Sequence, residues 1–126
     1  SQSDLEVESM LARDEGWGAF LDGRLVAKLG IDTLPYAVLD HTRWIHGLYA
    51  APEARGPVRA GELVLRAAME DARRRGVTRI LLWVSGNNER AKSFYARLGF
   101  TEIGRVPGGL KLSTGIFDDI LMCLSL

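Results

Sequence analysis

A single cysteine, Cys123, stands in the chain, so no internal disulfide can brace the fold. It lies in an apolar run and reads as a packing residue. Only two histidines, His41 and His46, accompany it, and the three make no recognisable zinc set, so no metal is expected. No apolar run approaches the ~18 residues of a membrane-spanning helix. With no signal-peptide pattern either, the expectation is a soluble, cytoplasmic protein without a membrane partner. An excess of one charge is missing as well. Sixteen basic and sixteen acidic residues cancel, which gives no support to a nucleic-acid partner.

What is present is an ordinary globular composition, 47% apolar and 25% charged, over 126 residues. That length suits one domain, residues 1–126, with one core. Ser3 with Glu6 fits a capping box, and Leu5, Met10 and Leu11 then suggest a short helix over about 4–13. "GAFLDGRLVAKLG" places Asp22-Gly23 between two apolar runs, which predicts a β-hairpin on a type I′ turn. "TLPYAVLDHT" reads as a loop, and "RWIHGLYA", 43–50, as a third strand. Residues 60–75 read as a helix with Leu63, Val64, Ala67, Ala68 and Ala72 on one face. Arg73, Arg74 and Arg75 crowd its C-terminal turn before Gly76, which suits the helix dipole and a glycine C′ position. "RILLWV" has no alternation, as expected of a strand buried on both faces and parallel to a neighbour. A second helix is expected from 89 to 98, capped by Asn88 and stopped by Gly99. "FTEIGRV" and "IFDDILMCLSL" are the last strands, with "PGGLKLSTG" as their connection. Antiparallel strands followed by a βαβα unit predict an α/β (α+β) fold around a mixed, mostly antiparallel sheet.

"PEARGPVRAGELVL", 52–65, joins the third strand to the first long helix. Gly56 and Gly61 have P-loop spacing, but Glu62-Leu63 follow where a P-loop needs lysine and serine or threonine. Gly56-Pro57-Val58 also fails the dinucleotide pattern. What survives is physical: a helix start has unpaired N–H groups and the positive end of a dipole, which suits an anion. Arg55 and Arg59 flank it. The alternative is a surface turn with two solvated arginines.

"NERAKSFYARLGF", 88–100, sets Asn88, Ala91, Phe94, Tyr95, Gly99 and Phe100 in the order N-x-x-A-x-x-F-Y-x-x-x-G-F. Together with L-x-A-x-P-E-x-R-G from Leu48 to Gly56, this resembles the GNAT superfamily of acyl-CoA-dependent N-acetyltransferases, from about Trp17 to Leu126. The resemblance implies a V-shaped gap between the strands ending at Ala50 and Val84. It implies acetyl-CoA as cosubstrate, with pantetheine along Leu48, Tyr49 and Ala50. The pyrophosphate then belongs on Gly56, Val58, Arg59, Ala60 and Gly61, beside Arg55. Asn88 would touch the cofactor arm as well as cap its helix. Tyr95 would be the general acid to the leaving thiolate, against a second reading as a half-buried core aromatic. The acceptor would be a small-molecule or peptide amine.

Acyl transfer needs a neutral amine, and deprotonating an alkylamine of pKa ~10.4 at neutral pH costs roughly 4 kcal/mol. Some family members place a glutamate five residues before the asparagine; here that position is Trp83. The titratable group inside the preceding strand is His46, and alternation from Leu48 puts both on one face. His46 is therefore the candidate base, or else a hydrogen-bonded structural histidine. Asp118 and Asp119 either begin a strand or attract a cationic substrate. Family loops usually read R-G-x-G-x-G/A, so Pro57, Val58 and Arg59 are departures; Pro57 removes an N–H donor and Val58 adds a Cβ. About sixteen residues precede the hairpin, where the family has a strand and helices. The expectation is either a version lacking that first strand and helix or one completed by another chain, with an open edge that suits a homodimer.

Overall fold

The computed structural model describes residues 5–10, 16–55 and 59–126. Ser3, the expected capping residue, lies outside them. Strand β1 (Leu5–Met10) stands where a short helix over 4–13 was expected. It pairs along its length with β2 (Gly16–Leu21), Leu5 opposite Leu21 and Met10 opposite Gly16. So short an apolar pattern fits either period, and cross-strand pairing decides it. Leu5 and Val7 alternate with exposed Glu6 and pack against the core.

Strand β2 turns into β3 (Arg24–Asp32) through Asp22 and Gly23, whose φ values of 52° and 78° are those of the expected type I′ turn. A loop with one 3₁₀ turn, Ala37–Leu39, leads to β4 (Thr42–Ala50). Then come α1 (Ala60–Arg74), β5 (Arg79–Ser85), α2 (Glu89–Arg97), β6 (Thr101–Leu112) and β7 (Gly115–Ser125). The seven strands form one sheet in the order β1-β2-β3-β4-β5-β7-β6. Only β4 and β5 run parallel. The mixed, mostly antiparallel sheet and its βαβα unit are as expected. The last hairpin is longer than expected, because Leu110–Leu112 pair with Gly115–Phe117 and only Ser113 and Thr114 form the turn.

The core lies between the helices and one sheet face. On that face Ile80, Leu82 and Val84 of β5 stand opposite Leu124, Met122 and Ile120 of β7, all buried. α1 covers β2, β3 and β4 with Val64, Leu65, Ala68 and Ala72. Leu65 takes the place expected for Leu63, which is exposed. The end of α2 lies on the same side, since a Cβ at Gly99 would sit 3.0 Å from Leu124. Among the described residues no helix covers the opposite face. The expectation that "RILLWV" is buried on both faces is therefore corrected: Trp83 is 44% exposed and Leu81 half-buried. β5 alternates like a strand covered on one side.

Candidate functional site

β4 and β5 begin side by side and then part. Thr42, Arg43 and Trp44 pair with Arg79, Ile80 and Leu81, and beyond Trp44 the two strands share no pairing. β4 stays bound to β3 as far as Ala50, and β5 to β7 as far as Ser85. A wedge opens between them, and backbone groups of Ile45–Ala50 that face away from β3 have no strand partner across it. Gly47 sharpens the bend. Gly47 and Leu48 together oppose the single residue Leu29, and Gly47 has φ 62°, the geometry of a β-bulge that needs glycine.

The bulge overturns one expectation. Alternation puts His46 and Leu48 on one face, but the extra residue reverses it. Leu48 packs against the core, whereas His46 lies over Gly30 on the other face, with Nε2 3.1 Å from a carboxylate oxygen of Asp32.

On the helix side the wedge runs into a cavity of about 1000 Å³. Its floor includes Leu48 and Ala50, and its far wall is α2, with Asn88, Phe94 and Tyr95. Four arginines (Arg55, Arg59, Arg90 and Arg97) and one acid, Glu62, surround it. Arg55 donates its Nε–H to the Ala50 carbonyl at 3.0 Å, tying the loop to the strand end, and among the described residues its terminal nitrogens have no partner. Arg59 is the N-cap of α1 in left-handed conformation (φ 51°, ψ 43°), and its side chain caps nothing. The helix's first bonded N–H is that of Leu63, to the Arg59 carbonyl at 3.1 Å. The N–H groups of Ala60, Gly61 and Glu62 thus have no hydrogen-bond partner among the described residues. Gly61 lines the cavity, and among the described residues a Cβ there would meet only Ala50, at an ordinary 3.7 Å.

Glu62 organises the arginines. Its side chain, 14% exposed, sits 2.9 Å from Arg97, 3.0 Å from Arg66 and 3.9 Å from Arg59. The hydrogen bonds from Arg97 and then Arg66 hold its carboxyl below the usual range. Arg97 also lies over the Phe94 ring, 5.6 Å from its centre.

Asn88 caps α2 as expected, accepting the Ala91 N–H at 3.1 Å, and it also lines the cavity. Tyr95 is buried edge-on between Phe94 and Phe100, at 5.3 and 5.6 Å. Burial raises its phenol pKa, so it stays protonated at neutral pH. Among the described residues the hydroxyl has no hydrogen-bond partner, and no buried side-chain oxygen or nitrogen is unpartnered. The hydroxyl is thus open to the cavity that Tyr95 lines.

Of the residues named from sequence, Leu48, Ala50, Arg55, Arg59, Gly61, Asn88 and Tyr95 converge here. Ala60 is buried behind the helix start, and the Tyr49 side chain is half exposed and does not reach the cavity. Gly56, Pro57 and Val58 lie outside the described residues. Glu62, Arg90, Ser93 and Arg97 line the site without having been singled out. Arg90 and Arg97 are two helical turns apart, a spacing that by itself puts both on one face.

An acyl-CoA fits what these residues offer: uncapped helix N–H groups and arginines for phosphates, and an open strand edge for an amide-bearing arm. Residues 2–100 match the sequence profile of the Acetyltransferase (GNAT) family. The chain belongs to this family. Over 68 residues it is 38% identical to an uncharacterised N-acetyltransferase of Methanocaldococcus jannaschii, a match of 54% of this chain and 30% of that protein. The chain thus spans about a third of that relative. The ribosomal-protein-S18-alanine N-acetyltransferase of Escherichia coli superposes with a TM-score of 0.79 at 20% identity, over 92% of this chain and 71% of its own. A GCN5-related N-acetyltransferase from Kribbella flavida reaches 0.85 at 18% identity, over 100% of both chains. These two establish the GNAT fold. Among the described residues no helix is long and apolar enough to cross a membrane, and no group of three or more His, Cys, Asp or Glu is placed to hold a metal.

Proposed function

We propose that this GNAT chain is an N-acetyltransferase that moves the acetyl group of acetyl-CoA directly to a primary amine of a small molecule or peptide. The observation that carries this reading is the parting of β4 and β5 beside an uncapped, arginine-flanked helix start. Acetyl-CoA supplies a thioester whose acyl carbon the amine attacks; the C–N bond forms and the C–S bond breaks. Arg55, Arg59 and the N–H groups of Ala60, Gly61 and Glu62 bind phosphate, while Leu48, Tyr49 and Ala50 hold the arm by backbone. N–H groups near Ala50 polarise the thioester carbonyl. Tyr95 donates its proton to the departing sulfur. His46, directly or through water, takes the proton the amine loses.

In a melting assay, acetyl-CoA at 100 times its dissociation constant should stabilise the fold by ~2.7 kcal/mol. Amines are then screened for release of free thiol. No shift at millimolar acetyl-CoA would defeat any acyl-CoA role. A shift without thiol release from any amine would leave the chain as a silent acyl-CoA-binding domain.

A further inference from the structure

On the sheet face away from the helices, Trp83 and Ser85 of β5 stand opposite Leu121 and Asp119 of β7. Asp119 is therefore the diagonal neighbour of Trp83, within reach across the pair. Trp44 of β4 stacks on Trp83 with ring centres 6.3 Å apart and planes 13° from parallel. These indoles flank the root of the wedge. On the β4 lip, same face, stands His46 against Asp32.

Asp118 and Asp119 are neighbours in sequence with opposite circumstances. Asp118 is held by Arg105 at 2.7 Å and by the Gly108 N–H at 2.9 Å. Asp119 is half-buried and, among the described residues, has no hydrogen-bond or ion-pair partner. Desolvation raises its pKa. A carboxylate drawn partly out of water without a counter-charge is costly, and folded proteins seldom leave one without reason. Among the described residues, two basic side chains of this face are turned elsewhere. Arg79 is bound to Ser125 Oγ at 2.8 Å, and Lys28 lies across β3, opposite Tyr49.

We infer that the acceptor is a primary alkylammonium ion on an apolar stem, received on this open face with the stem against Trp83 and the ammonium group against Asp119. This rests on the acetyltransferase reading for the word acceptor. Indole faces attract both alkyl groups and cations. The carboxylate supplies the charge that a neutral or anionic acceptor would leave unmatched. From Asp119 the amine reaches the wedge from the side opposite the arginine-lined cavity, so the two substrates meet through the sheet and their charges stay apart. His46 stands on that same side of the sheet.

The test needs no acyl donor. Pentylamine, as its ammonium ion, and 1-pentanol are titrated into ¹⁵N-labelled protein at neutral pH, with the Trp83 indole N–H as reporter, assigned by its loss in Trp83→Leu. The expected result is saturable movement of that resonance by pentylamine. Asp119→Asn should weaken this binding about tenfold, the scale of one charge-assisted hydrogen bond. Pentanol should bind the wild type about tenfold more weakly than pentylamine. Equal binding of amine and alcohol, an unmoved indole, or unchanged affinity in Asp119→Asn would overturn the inference. Because acetyl-CoA is absent, this result is separate from the melting and thiol assays, which can fail on their own.

Discussion

The imidazole of His46 occupies the space that a side chain at position 30 would need. A Cβ added to Gly30 would fall 2.9 Å from Nδ1 and closer still to Cε1 and Nε2. Gly30 and His46 are direct cross-strand partners, and Asp32, two residues on, holds the ring 3.1 Å away. The candidate base is thus seated by its neighbours on β3. Gly30→Ala should push the ring out of this seat and lower kcat by roughly 100-fold, the low end of general-base contributions. His46→Ala should do the same, and acetyl-CoA affinity should hold in both. Steady-state kinetics with a melting titration checks this; full turnover in either variant would remove His46 from the chemistry.

Gly61 offers a test in which stability and binding move in opposite directions. Among the described residues nothing crowds a Cβ there, and alanine favours helix over glycine by up to about 1 kcal/mol. Gly61→Ala should therefore melt at the same temperature or higher. If a phosphate approaches the bare backbone, acetyl-CoA affinity should fall at least about tenfold, the loss of one charge-assisted hydrogen bond. Unchanged affinity would move the phosphate elsewhere.

Glu62 ties α1 to Arg97 of α2, and its pH dependence has a definite sign. Its carboxyl is held below the ordinary value of 4.5, so its stabilisation is fully present above 4.5 and is lost as pH falls through the lowered value. Wild type should melt above Glu62→Gln at pH 7, and the difference should shrink below about pH 4.5. A gap that stays constant to pH 3 would mean that the charge does not matter to the link.

Tyr95→Phe separates acid catalysis from packing. The ring keeps its place between Phe94 and Phe100, so acetyl-CoA binding should be unchanged. Thiol release should slow by about 100-fold if the hydroxyl donates the proton. Burial raises the phenol pKa above 10.0, so the native protein resists ionisation that the unfolded chain accepts. Wild type should accordingly lose stability relative to Tyr95→Phe as pH rises past about 10. Equal turnover in the variant would leave Tyr95 as a core aromatic.

Much of the frame was legible because local chemistry dictates it. Asp22-Gly23 accepts positive φ at both turn positions, Asn88 caps the helix that follows it, and Gly76 and Gly99, at φ 81° and 105°, follow the two helices. The candidate anion site could be proposed from sequence for the same reason, since a strand, a loop with arginines and a helix start are consecutive in the chain. What sequence could not decide was which face each side chain takes. One extra residue at Gly47–Leu48 reverses the alternation and separates His46 from Leu48. The helices cover one side of the sheet, so Trp83 is exposed within an apolar run. β1 is a strand because β2 pairs with it, a long-range choice that a short apolar pattern leaves open. Glu62 meets Arg97 only when α1 and α2 are packed side by side. Turns and caps depend on a few adjacent residues, so the sequence determined them alone. Faces, pairings and the company of a charge depend on residues distant in the chain, and only the tertiary structure decides those.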